Sequence, residues 1–287
     1  MRVPPALNPF ARTVTLPGAH EPLFLYEAGH SGLPGMLLVH GLGDEADTWR
    51  HVISPLSEHY HVVAPDLPGF GRSPLPPRAR LAPRYLSGVL ASLIEYLDLK
   101  KITLVGSSLG APLVQVVAME NSRLISRLIL VDGGLLARGR IKASLLFGLL
   151  PGVGERRYRR LAGNLDAAYA SLRPYYADLE ALPKEEREFL RERVGERVAS
   201  ESQMRAYFSF FRGFFGSLAL QGLSLTRRAR LLDIPTLYVW GAQDHIVPVE
   251  TAHRTRLTHP GSELAVIPNA GHLPHQETPK EFLRVVA

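Results

Sequence analysis

Five short apolar runs, each closed by a polar or turn residue, constrain this chain more than any other feature. They are MLLVH (Met36 to His40), HVVAPD (His61 to Asp66), KITLVG (Lys101 to Gly106), RLILVDGG (Arg127 to Gly134) and IPTLYVWG (Ile234 to Gly241). Runs of this kind do not alternate apolar with polar residues, so they read as strands buried on both faces. RYLSGVLASLIEYLDL and LGAPLVQVVAME lie among them and repeat apolar residues at helical spacing. TVTL and LFLYEA precede the set as further strands, and ELAVIPNAGH follows it. Strands and helices in alternation give an α/β fold, a mostly parallel central sheet flanked by helices. TPKEFLRVVA closes the chain as a helix, with Thr278 as cap, Pro279 next and Glu281 at the capping-box position.

The alternation stops between Leu135 and Leu225, where no strand pattern is found. IKASLLFGLL (Ile141 to Leu150) is apolar nearly all round, and SQMRAYFSFFRGFFGSLALQG is rich in aromatics. PKEEREFLRERVGERVAS places Pro183 and its acids early, as a helix start and the helix dipole favour. The expectation is a core of residues 1–134 and 226–287 interrupted by an all-helical cap, residues 135–225.

The chain has no cysteine, which excludes disulfides, thiolate nucleophiles and zinc–thiolate sites. No apolar run reaches the roughly 18 residues of a membrane span, and the prolines of MRVPPALNPFARTV do not suit a signal peptide. A cytoplasmic protein without membrane insertion is expected. The formal charge is +6, and ERRYRRLAG (Glu155 to Gly163) is the densest basic stretch. Elsewhere bases alternate with acids in the manner of a solvated helix face, so no nucleic-acid partner is expected.

TLVGSSLGAPLVQ (Thr103 to Gln115) holds two adjacent serines where a strand turns into a helix. Residues two before and two after a nucleophile on such a turn approach each other and must lack bulk. That requirement selects Ser108, between Gly106 and Gly110; around Ser107 the same positions are Val105 and Leu109. A serine needs a base. Of the 11 histidines, His272 lies on a loop between the last strand and the last helix, with Gly271 before it. His40 reads as structural, with its ring bonded to neighbouring backbone, and His275 as pointing elsewhere. His20, His30, His51, His59, His61, His253 and His259 read as surface or turn residues.

The base needs a carboxylate to fix its tautomer. Asp244, in YVWGAQDHIVP, follows a strand end, where such sheets gather functional groups. Asp132, in LVDGG, is the second candidate, and Asp66 reads as a turn brace. The glycines of HGLGDEADTW let the backbone N–H of Leu42 face the site, and the N–H of Leu109 is the second donor for an oxyanion. Gly41, Gly43, Phe211 and Phe214 are candidate substrate contacts.

LLVHGLGDEADTW, PDLPGFGRS, LVGSSLGAP, WGAQDHIVP and IPNAGHLPHQETP together resemble the α/β-hydrolase fold family, specifically its capped serine hydrolases. The resemblance runs from about Leu23 to the end, except the insertion. It implies Ser108 as nucleophile, His272 as base, Asp244 as acid, the two leucine N–H groups as oxyanion hole, and the insertion as lid. Epoxide hydrolases and haloalkane dehalogenases of the family carry Asp at the elbow, so Ser108 argues against both. The carbon–carbon bond hydrolases of ring-cleavage products typically have Trp after the histidine and Asn before the nucleophile; Leu273 and Ser107 stand there instead. No G-x-G-x-x-G loop supports a dinucleotide enzyme.

The expected activity is cleavage of a carboxylic ester through an acyl-enzyme, with no metal or cofactor. The expected partner is a small-molecule ester with an apolar acyl or alcohol part; a homo-oligomer is left open. A carbon–carbon bond hydrolase and a non-catalytic binding protein on the same fold are the alternatives.

Overall fold

The computed structural model describes residues 1–77, 80–137 and 147–287, so the helix expected over Ile141 to Leu150 lies mainly outside the described residues. Eight strands form one sheet: β1 (Ala11–Val14), β2 (Leu23–Ala28), β3 (Gly35–Val39), β4 (His61–Pro65), β5 (Ile102–Ser107), β6 (Ile125–Val131), β7 (Thr236–Gly241) and β8 (Glu263–Ile267). Their spatial order is β1-β2-β4-β3-β5-β6-β7-β8. β2 pairs antiparallel with β1 and β4, and every other pair is parallel.

Every residue of β3, β4, β5 and β7 is buried, as their unbroken apolar runs require. Side chains alternate between the sheet's faces. Leu37, Val39 and Leu104 therefore share one core with α1 (Pro83–Tyr96) and α2 (Gly110–Glu120), while Met36, Leu38 and Val105 share another with Trp49 and Phe282. α2 carries no charge before Glu120 and is buried from Gly110 to Ala118, which makes it the central helix behind the sheet.

Between β6 and β7 the described residues hold helices and no strand, including α3 (Val153–Ala162), α4 (Lys184–Ala199) and α5 (Glu201–Arg230). α5 is a single helix of 30 residues that runs through position 225. Ala168, Tyr176, Leu179, Leu190 and Val194 give this region its own small core. α6 (Glu250–Thr258), which lacks a distinct apolar stripe, follows β7, and α7 (Pro279–Val286) ends the chain. Thr278 does stand before α7, but its hydroxyl donates to the Pro274 carbonyl, 3.2 Å away, instead of capping the helix. Glu281 pairs with Arg284. Among the described residues no helix is long and apolar enough to cross a membrane.

Candidate active site

β5 delivers Ser108 at its carboxyl end. Ser108 has a φ of 52°, the left-handed region that a non-glycine residue enters only under constraint. The neighbours explain how the turn closes. A Cβ on Gly106 would lie 2.5 Å from the Gly110 carbonyl, and one on Gly110 would lie 2.5 Å from the Val39 carbonyl. Gly133, at the end of β6, passes so close that its Cβ would meet the Ser108 carbonyl at 2.4 Å. Three glycines from three segments thus allow one serine to stand above the sheet. Ser107 is buried, and its hydroxyl has no hydrogen-bond partner among the described residues.

Asp244 sits in the turn after β7. Its Oδ1 accepts the N–H groups of Ile246 (2.7 Å) and Val247 (2.8 Å), which leaves Oδ2 for His272 Nδ1 at 2.7 Å. On the other side of the ring, His272 Nε2 is 2.8 Å from Ser108 Oγ. The loop carrying His272 is fixed from the helical region: its N–H donates to the Tyr175 carbonyl at 2.9 Å. Gly271 is required there, because its Cβ would lie 2.6 Å from the Ala177 nitrogen. Glu277 ties the same two segments, accepting from Gly271 N–H (2.6 Å) and Ala177 N–H (2.7 Å).

The loop after β3 flanks the serine. A Cβ on Gly41 would lie 3.1 Å from Ser108 Cβ, and Gly43, at φ 72°, lies under the Tyr207 ring. Among the described residues the N–H groups of Leu42 and Leu109 have no acceptor. Unpaired donors on a serine's flank suit a developing negative charge.

A cavity of about 790 Å³ opens over Ser108 and His272. Leu42, Tyr207, Phe208, Phe211 and Leu273 give it apolar walls. Phe211 therefore lies where the sequence suggests. Phe214 does not: three residues further along α5, it packs against the core on the sheet side and does not line the cavity.

A profile of this fold family matches residues 36–285. The chain belongs to the alpha/beta hydrolase family. An uncharacterized protein of Mycobacterium bovis is 30% identical over 88% of this chain and 74% of its own length. A pimeloyl-[acyl-carrier protein] methyl ester esterase of Aeromonas salmonicida is 27% identical over 88% of this chain and 94% of its own. A 2-hydroxy-6-oxo-2,4-heptadienoate hydrolase of Pseudomonas putida is also 27% identical, over 91% and 90%. The crystal structure of Cfl2 from Burkholderia cenocepacia superposes with a TM-score of 0.79 over 96% of this chain and 94% of that one, at 22% identity.

This hydrolase places two carboxyls beside one imidazole. The acidic oxygens of Asp132 and Asp244 and a nitrogen of His272 lie within 4.8 Å of one another. A cation would need a free ring nitrogen, and both are engaged. Asp132 instead accepts from Gly241 N–H at 2.9 Å. Burial, and then the charge of Asp244, push the Asp132 carboxyl well above the usual range.

Charged pairs join the hydrolase's helical region to the loop after β3. Arg197 of α4, partly buried at this contact, donates to Glu45 through Nε (2.6 Å) and Nη2 (2.7 Å) and also reaches Asp44. Arg193 meets Asp47 at 3.0 Å, and Arg50 pairs with Glu186. Burial pushes Asp44 up, but Arg197 and His40 outweigh it and hold the carboxyl below its usual value. Burial wins at Glu45, which is pushed up to about 7 despite Arg197. Arg197, Glu45 and Glu277 are not legible in the sequence alone; the alternating run of Glu and Arg around Arg197 reads as a solvated face until its partners are known.

The remaining histidines divide in two ways. His40 is structural: it bonds the Gly41 carbonyl through Nδ1 (2.7 Å) and accepts Leu67 N–H at Nε2 (2.9 Å). His275 stacks on Trp49, 4.3 Å between centroids, away from Ser108. His61 and His259 are buried, contrary to the surface reading. His61 lies in β4, 2.8 Å from Glu27, and His259 is 3.3 Å from the Tyr238 hydroxyl.

Proposed function

We propose that this chain is a serine hydrolase that cleaves carboxylic esters through an acyl-enzyme. The observation that carries the reading is the double engagement of His272, 2.8 Å from Ser108 Oγ and 2.7 Å from Asp244 Oδ2. Ser108 attacks the ester carbonyl while His272 Nε2 takes its proton. Asp244 accepts from Nδ1–H, which leaves Nε2 unprotonated before attack and steadies the imidazolium afterwards. The oxyanion rests on the N–H groups of Leu42 and Leu109. His272 then returns the proton to the departing alcohol, and a water activated by the same nitrogen releases the acid. Residues 135–225 act as the lid, with Phe211 among the residues that meet the apolar part of the substrate.

A graded series of p-nitrophenyl esters tests the proposal. Medium acyl chains are expected to give the highest kcat/KM, because the cavity walls are aromatic and aliphatic; no turnover at any chain length overturns it. Relatedness to the Pseudomonas hydrolase favours a second reading, carbon–carbon bond cleavage of a vinylogous diketo acid. Turnover of such an acid without ester turnover would select that reading instead.

The paired carboxyls give a separate prediction. Asp244→Asn is expected to lower kcat by about a thousand-fold or more, because the amide favours the wrong imidazole tautomer. Asp132→Asn, which keeps an acceptor oxygen for Gly241 N–H and leaves the Asp244–His272 contact in place, is expected to keep kcat within about threefold. Steady-state kinetics on one ester checks both, and equal losses would assign the acid role differently.

A further inference from the structure

We propose that the esters taken by this site carry an anionic group, a carboxylate or a phosphate, held at the cavity mouth by Arg156, Arg157 and Arg160. The inference rests on the ester-hydrolase reading and adds the chemical class of the substrate.

α3 lies along the cavity with one face. Val153, Arg157, Arg160 and Leu161 line it at helical spacing. The helix is pressed onto α5, since a Cβ on Gly154 would meet the Phe208 ring at 2.4 Å. Arg156, Arg157 and Arg160 also line the cavity and are exposed. Among the described residues none of the three meets a carboxylate. That sets them apart from the arginines around them. Arg159, on the same helix, pairs with Glu201, and Glu155 is taken by Arg212. Arg173, Arg187 and Arg191 on neighbouring segments pair with Glu180 or Asp166. Arg156 and Arg160 are like charges one helical turn apart, an arrangement that disfavours the helix slightly. Three unpaired cations converging on one opening form a field that draws in anions.

The inner end of the cavity has the opposite character. Asp44 and Asp47 face it, already matched by Arg197, Arg193 and Arg72, and Glu45 behind them adds a further carboxyl. Among the described residues no unpaired cation lines that end, so an anion buried there would lose its water without compensation. Between the two ends stand Tyr207, Phe208 and Phe211. The charge distribution therefore orients an amphiphilic ester: apolar chain against the aromatic wall, anionic end outward on α3. This gives the ERRYRRLAG stretch a role that nucleic-acid binding does not explain.

The test compares p-nitrophenyl octanoate with mono-p-nitrophenyl suberate and with the p-nitrophenyl ester of 8-phosphonooxyoctanoic acid. All three offer the same reacting carbonyl and chain length. At low ionic strength kcat/KM for at least one anionic ester is expected to exceed the neutral one by about tenfold, with the ratio shrinking toward one above about 0.5 M salt. Which anion gains more distinguishes a carboxylate from a phosphate site. The ratio is expected to collapse in the triple variant Arg156→Gln, Arg157→Gln, Arg160→Gln, to return when all three are Lys, and to survive Arg159→Gln. Equal rates on all three esters, or a preference that persists in the Gln variant, overturns the proposal. So does stimulation of neutral-ester turnover by phosphatidylglycerol vesicles with no gain for the soluble anions, which would make the patch a membrane contact. Absence of turnover on every ester, with no fluorophosphonate adduct at Ser108, would count against the ester-hydrolase reading itself.

Discussion

Ser108→Ala is expected to abolish fluorophosphonate labelling and to lower ester kcat by about ten-thousand-fold or more, with His272→Ala falling to a similar level. The two losses should resemble each other because the groups work as one unit. Without its base the hydroxyl is a poor nucleophile, and without the hydroxyl the base has nothing to activate. Neither substitution should disturb the fold. Ser108 contributes only its Oγ to the arrangement, and Ala accepts the same backbone as a small residue, although the φ of 52° is strained for either. The double variant should therefore be no slower than the singles, and stopped-flow acylation with intact-mass detection of the adduct checks this. A labelled Ser108→Ala protein would move the nucleophile elsewhere. An unlabelled, correctly folded wild-type chain would support a binding protein in place of an enzyme.

Arg197→Met is expected to destabilise the protein by roughly 3–5 kcal/mol, the usual cost of leaving buried carboxylates without their cation. The same variant should lower kcat more than it raises KM, because Asp44 and Glu45 follow directly on the Gly41–Gly43 turn that presents Leu42 N–H. The pH dependence carries the diagnosis. Glu45 stands at about 7 in the folded protein against an ordinary value of 4.5, so folding binds a proton there between those limits. A raised acid contributes most below its unfolded pKa, and that contribution is lost as pH rises through about 7. Removing Arg197 raises Glu45 further and extends the loss to higher pH. Urea denaturation at pH 5.5 and pH 8 should show the smaller deficit at the lower pH. A pH-independent deficit would mean that lost packing, and not charge, accounts for the change.

Much of the sheet is legible from the chain because its strands are buried on both faces, which leaves uninterrupted apolar words between turn residues. The elbow is legible for a steric reason: a Cβ on Gly106 would lie 2.5 Å from the Gly110 carbonyl, and one on Gly110 as close to the Val39 carbonyl, so both positions must be glycine. The choice between Asp132 and Asp244 is not contained in that kind of signal. Both end strands, and their carboxyls come within 4.8 Å of each other and of His272; only the hydrogen bonds separate them. Phe211 and Phe214 illustrate a second limit. They share a helix and a residue type, yet one lines the cavity and the other packs on the sheet side, and residue type alone does not say which surface each meets. Arg197 illustrates a third, since its partners lie more than 150 residues away in the chain and no local periodicity announces them.

The fastening of α4 to residues 44–47 has a consequence for the order of events in a turnover cycle. Leu42 N–H is held in place by a loop whose counter-charges, Arg193 and Arg197, belong to a helix above the pocket. Were that helix to swing away, the loop would keep its carboxylates and lose their cations, and the donor would lose its support. On the proposed ester-hydrolase reading, an unroofed pocket and a formed oxyanion site would exclude one another. The ester would have to be under the roof before the site that activates it is complete, and a carbonyl that merely brushes past an open pocket would go unhydrolysed.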